Sequence, residues 1–142
     1  MPALPRSGFR PILSIPSPQV ATILICDNEA PLRALVRGSL DGGGYEITEA
    51  TDGDEALALS RELRPDVIVL DMMMPGRSGL DVLAELRGDA AFASTKVILL
   101  TARTQATDRA AAEAAGADWF LAKPFSPSEL ASIVQGLLDG RG

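Results

Sequence analysis

Pro65-Asp66-Val67-Ile68-Val69-Leu70-Asp71 sets four β-branched or aliphatic residues between two acids, with a proline just ahead. A run of this kind reads as a strand buried on both faces of a parallel sheet, where no polar alternation is needed. Three other runs have the same form. Thr22-Ile23-Leu24-Ile25-Cys26 leads into Asp27, Val97-Ile98-Leu99-Leu100 into Thr101, and Trp119-Phe120-Leu121-Ala122 into Lys123-Pro124. In open α/β sheets the carboxyl ends of the strands border the ligand crevice, near the point where strand order reverses. The reading therefore brings Asp27, Asp71, Thr101 and Lys123 to one sheet edge, although the chain spreads them over nearly a hundred residues.

Helix signals fill the gaps between these runs. Strand 22–26 is followed by a helix from about Ala30, with Pro31 in its first turn and Leu32, Leu35, Val36 and Leu40 on one face. Gly42-Gly43-Gly44 ends it. A second strand is expected over 45–49, alternating as an edge strand does, and Asp52-Gly53 turns the chain into a helix that stops before Pro65. Strand 66–70, helix 79–87, strand 96–100, helix 105–115, strand 118–122 and helix 126–138 complete the series. The predicted class is α/β: a doubly wound, five-stranded parallel sheet of order 2-1-3-4-5 flanked by five helices. Residues 1–20 hold five of the ten prolines and show no periodicity, and are read as a flexible Pro-rich extension before a domain at 21–142.

Composition narrows the chemistry. The chain has 142 residues, 46% of them hydrophobic but only 4% aromatic, so its core is aliphatic. Its net charge is −6, and Arg6 and Arg10 are the only charges in the first 20 residues, leaving −8 on the remainder. Such a surface repels a phosphate backbone, so no nucleic-acid partner is expected. There is no histidine, which removes His-based acid–base catalysis, His metal ligands and any phosphohistidine donor. The one cysteine, Cys26, falls inside a strand and reads as a buried apolar thiol. No apolar run reaches the roughly 18 residues of a membrane span, and prolines interrupt the amino-terminal segment, so a cytoplasmic location without membrane contact is expected. Lysine is confined to Lys96 and Lys123, against eleven arginines.

Taken singly, an Asp after a strand is most often a helix cap or turn former, Thr101 could be a cap, and Lys123 could be surface charge. Their joint placement favours a site. The segment Ile23–Leu138 resembles the receiver domain of two-component response regulators, the fold of the bacterial chemotaxis regulator. The motifs that carry the resemblance are Ile23-Leu24-Ile25-Cys26-Asp27-Asn28-Glu29, Asp52-Gly53-Asp54-Glu55-Ala56-Leu57 and Pro65–Asp71. Met74-Pro75-Gly76, Gly79-Leu80, Leu100-Thr101-Ala102, Gly116-Ala117-Asp118 and Lys123-Pro124-Phe125 follow in order.

The resemblance implies that Asp71 is a phosphoacceptor. It further implies Mg²⁺ as cofactor, held by Asp27, Asn28, Asp71 and the Met73 backbone carbonyl, with Lys123 and Thr101 completing the catalytic set. Thr101 and Phe120 occupy the switch positions, Phe120 being expected to turn from an exposed to an inward rotamer. Met73 and Arg103 occupy positions that tune dephosphorylation. The implied partners are a sensor histidine kinase or histidine phosphotransfer protein, and an unknown downstream protein met through helix 4, strand 5 and helix 5. Chemistry is confined to phosphoryl transfer to, and hydrolysis from, the protein's own aspartate, so no separate enzyme activity is expected. Where the family most often ends strand 1 on an acidic pair, this chain has Asp27-Asn28, which removes one negative charge from the cation site. With only about 19 residues after Lys123, a single-domain receiver without an output module is expected.

Other classes fit less well. A flavodoxin-type FMN site needs a Ser/Thr/Gly loop after strand 1, where this chain is acidic. A haloacid-dehalogenase-type phosphatase has Asp-x-Asp, but Met73 stands two residues past Asp71. Gly42-Gly43-Gly44 follows a helix and precedes a strand, the wrong context for a nucleotide loop. The remaining alternative is a phosphorylation-independent pseudo-receiver acting as a protein-interaction module.

Overall fold

The computed structural model describes residues 20–102 and 106–139, without the side chains of 106–108. The amino-terminal extension expected over 1–20, apart from Val20, and Arg103 lie outside these residues. Chain order is β1 (Thr22–Cys26), α1 (Ala30–Leu40), β2 (Glu46–Ala50), α2 (Gly53–Leu63), β3 (Val67–Asp71), α3 (Gly79–Arg87), a 3₁₀ turn (Ala90–Phe92), β4 (Lys96–Thr101), α4 (Ala106–Ala115), β5 (Trp119–Ala122) and α5 (Pro127–Asp139). All strand pairs are parallel and the order is β2-β1-β3-β4-β5, as predicted. β1 and β3 are neighbours with Cys26 opposite Leu70, so the residues that follow them emerge side by side.

Strand alternation divides the apolar side chains between two faces. Leu24, Cys26, Ile68, Leu70, Val97, Leu99 and Phe120 pack with α2, α3 and α4 residues such as Leu57, Leu83 and Ala112. Ile23, Ile25, Val67, Val69, Ile98, Leu100 and Leu121 pack with α1 and α5 residues such as Val36, Leu40, Leu130 and Val134. β3 is buried along its whole length, in keeping with its uninterrupted apolar run.

Boundaries differ from expectation by a residue or so, for traceable reasons. Asp66 accepts the Thr22 N–H at 2.8 Å through its side chain, capping the strand start, and β3 runs on to include Asp71. β2 begins at Glu46 rather than Tyr45, the Glu46 N–H donating to Ala21 C=O at 2.9 Å. The 3₁₀ turn at Ala90–Phe92 was not expected; the Asp89 side chain caps it by accepting the Ala91 N–H at 3.0 Å.

Candidate functional site

β1, β3, β4 and β5 each deliver one polar side chain to the carboxyl edge of the sheet. Asp27 and Asp71 are buried, at 0% and 3% exposure, and Thr101 is buried beside them at 1%. Lys123 reaches in from the end of β5, its Nζ 3.1 Å from Asp71 Oδ1 and 3.6 Å from Asp27 Oδ2. The Lys123 N–H donates to the Thr101 carbonyl at 2.7 Å, which ties the last turn of β5 to β4. The Lys123–Pro124 peptide is cis.

Neither acid is free to turn. Asp71 Oδ1 also accepts the Met73 N–H at 3.2 Å, and Asp27 Oδ1 accepts the Glu29 N–H at 2.8 Å. Asp27 Oδ2 is buried and accepts no hydrogen bond. Burial raises the Asp27 carboxyl above its ordinary pKa; the nearby Asp71 charge adds to this, while the Glu29 N–H and Lys123 oppose it. Two desolvated carboxylates thus face one ammonium, and an oxygen with no donor points into the gap. Burial likewise pushes the Cys26 thiol up, so it is a packed, protonated side chain rather than a nucleophile.

That orphan oxygen tests whether a cation would fit. The donors available are Asp27 Oδ2, an Asp71 oxygen, the Met73 carbonyl and the exposed Asn28 carboxamide. All are oxygens, and they include two carboxylates. Among the described residues there is no group of three or more acidic, Cys or His side chains able to enclose a metal. A site this open suits Mg²⁺, which keeps several waters and is commonly held by one or two carboxylates. A close-fitting all-protein cage is not on offer.

The loop after β3 is fixed from behind. A Cβ on Gly79 would collide with the Asp71 carbonyl and the Met72 Cα, so glycine lets the start of α3 press on the backbone of the candidate acceptor. The Gly79 N–H donates to Met72 C=O at 3.0 Å. Arg77 Nε and Nη1 bind Asp54 at 2.9 Å and Glu85 at 2.6 Å, linking the loop to α2 and α3. Within the loop Met74 packs into the core, whereas Met73 is 66% exposed.

Phe120 stands in the inward of the two rotamers expected of it. Its ring is turned inward at 7% exposure, on the Leu99 side of the sheet, and the Arg109 guanidinium lies 5.1 Å from the ring centroid. Burial of an apolar ring and a cation over its face both favour this rotamer. Two further residues escaped the sequence reading. Arg33 donates from Nη1 to the Asp27 carbonyl at 2.8 Å and from Nε to Glu49 at 2.9 Å. Glu49, the last residue of the strand expected over 45–49, is held by Arg33 and Arg37 together.

Comparison with known proteins agrees with this fold. The probable transcriptional regulatory protein TcrX of Mycobacterium tuberculosis is 43% identical over 124 residues, 87% of this chain and 52% of its own length. The phosphate regulon transcriptional regulatory protein PhoB of Pseudomonas aeruginosa is 37% identical, covering 85% of this chain and 53% of its own. The chain thus spans about half the length of the curated relatives it matches. Among solved structures, the chemotaxis response regulator CheY4 of Vibrio cholerae superposes with a TM-score of 0.79 at 33% identity, over 84% of this chain and 99% of that one. No helix of the described residues is long and apolar enough to cross a membrane. Residues 23–135 match the response regulator receiver domain, and with strand order, strand-end acids and relatives in accord, the chain belongs to that family of two-component signalling proteins.

Proposed function

We propose that this receiver accepts a phosphoryl group on Asp71, with Mg²⁺ bound at Asp27, Asn28, Asp71 and the Met73 carbonyl, and passes the signal to another protein. The observation that carries the reading is the buried Asp71 carboxylate, with Lys123 Nζ 3.1 Å from its Oδ1 and 3.6 Å from an Asp27 Oδ2 that accepts no hydrogen bond. An Asp71 oxygen attacks the phosphorus of a kinase phosphohistidine or a small phosphodonor. A P–O bond forms, the P–N bond of phosphohistidine breaks, and the imidazole leaves with its electron pair and takes up a proton. Phosphoryl transfer asks mainly for positioning and for neutralisation of charge on the equatorial oxygens. Mg²⁺ supplies the larger share of that neutralisation when bound.

Lys123 supplies the second cation on the protein side, and the Thr101 hydroxyl a donor to a phosphoryl oxygen. The exposed Met73 side chain stands at the pocket mouth, where it screens the aspartyl phosphate from water; Arg103 is proposed to share that role. The inward Phe120 is the state in which the face of α4, β5 and α5 meets its partner, so phosphorylation acts by holding that rotamer more firmly. The names of the relatives speak of transcriptional regulation; for this chain the proposed part is the receiver step, with a sensor histidine kinase or phosphotransfer protein upstream.

Intact-mass analysis with acetyl phosphate and Mg²⁺ tests this. A single phosphoryl adduct is expected in the wild type, and none in Asp71→Asn or in EDTA. Labelling that survives either change rejects the assignment.

A further inference from the structure

Asp27 is the acid on which the cation reading turns, and its polar atoms are nearly all accounted for. Its N–H donates to Ala50 C=O at 3.1 Å, its Oδ1 accepts the Glu29 N–H at 2.8 Å, and its carbonyl accepts Arg33 Nη1 at 2.8 Å. Oδ2 alone remains to face the pocket. Two of these restraints are backbone groups. The third is a side chain, and it comes from α1.

The Arg33 guanidinium is well shielded, with its side chain 16% exposed. A positive charge lying against the backbone of Asp27 opposes a second cation at the same residue unless something cancels it. Glu49 is placed to do so. It sits opposite Ile25 in the β1–β2 register, and its two oxygens accept Arg33 Nε at 2.9 Å and Arg37 Nε at 2.7 Å. One face of the Arg33 fork therefore holds a carbonyl and another a carboxylate. A lysine ammonium, compact and on a flexible stem, does not reproduce that planar geometry.

We propose that Arg33 is a positioning residue for cation binding, holding the Asp27 carbonyl so that Oδ2 stays aimed at the pocket, and that Glu49 is its counter-charge. The inference rests on the reading of Asp27 as a cation ligand. Groups that orient metal ligands from behind typically govern affinity by tenfold or more, without touching the ion. Arg33 and Glu49 would do so from the α1 and β2 side, away from Asp71 and Lys123.

The test is a titration of the full chain with Mn²⁺, following free ion by electron paramagnetic resonance well below the melting temperature of each variant. Wild type should bind, and Asp27→Asn should not. Arg33→Ala should weaken binding by about tenfold, with Arg33→Lys in between. Glu49→Gln should also weaken it, but its deficit should shrink as ionic strength rises, since an uncancelled charge is screened and a lost restraint is not. Should Arg33→Ala fail to fold, Arg33→Lys and Glu49→Gln decide. Wild-type affinity in both Arg33 variants, or in Arg33→Lys and Glu49→Gln alone, overturns the proposal while leaving the cation site standing. Absence of Mn²⁺ binding in the wild type overturns the cation site itself, and this inference with it.

Discussion

Asn28 offers an oxygen where an aspartate would offer an oxygen and a charge. One more negative charge about 4 Å from a cation contributes roughly 1 kcal/mol even when fully screened by solvent, and more at the effective dielectric of a protein surface. Asn28→Asp should therefore tighten Mg²⁺ by about fivefold or more, measured by calorimetry. Trp119 is a poor reporter for that purpose, because it opens β5 four residues, or about 13 Å, from Lys123. Unchanged affinity means that residue 28 does not reach the ion. Glu49 carries a different consequence, for pH. Its carboxyl is held below the ordinary 4.5, chiefly by the hydrogen bond from Arg37 and further by Arg33. A depressed folded value contributes stability that is present above the unfolded value and lost as pH falls through the folded one. The wild type should thus exceed Glu49→Gln in stability at neutral pH, by about 1 kcal/mol or less, since Arg37, the partner that lowers it most, is half exposed. The gap should close on the acid side of pH 4.5. Thermal melts of both proteins across the acid range check this, and a gap that persists at low pH assigns the difference to packing instead.

Where helices meet strands, close approach matters more than charge. Gly79→Ala places a methyl against the Asp71 carbonyl and Met72 Cα, both backbone, so α3 must back away from β3. A loss of about 1–3 kcal/mol is expected in urea unfolding, together with slower phosphorylation, because the displaced backbone is that of the proposed acceptor. Normal stability would show that α3 can shift freely. The five strands and five α-helices were legible because their signals are local: apolar runs for the strands, and Pro31, Asp52-Gly53 and Pro65 as punctuation. The 3₁₀ turn was not, since a single turn of Ala90-Ala91-Phe92 has no periodicity to read. The convergence of Asp27, Asp71, Thr101 and Lys123 followed from topology, because each ends a strand of one parallel sheet. Arg33 stayed hidden for the opposite reason. It acts on a backbone carbonyl, which every residue has, so nothing in the residue types marks the contact. The part played by Glu49 was hidden too, because alternation tells which face a side chain takes, not which charged side chain of a neighbouring helix reaches it.

Viewed as one body, the molecule joins a closely packed framework to a poorly satisfied corner. The two apolar layers either side of the sheet are closed, and helices α2 and α3 are capped by Asp52 and Ser78. At the corner, two buried acids share one ammonium and an Asp27 oxygen has no donor. Binding a cation there should stabilise the native state by mass action, by about 2.7 kcal/mol at a hundredfold excess over Kd. Removing the charge should do part of the same work. Asp27→Asn keeps the acceptor for the Glu29 N–H and deletes a desolvated charge, so the metal-free variant should melt a few degrees, roughly 2–6 °C, above the wild type. It should gain nothing further from Mg²⁺, and scanning calorimetry with and without the ion checks both halves. The undonated oxygen thus sets heritable durability against usefulness. A population of variants screened only for survival of heat would drift toward amide at position 27, and the toughest descendants would have lost the proposed cation site.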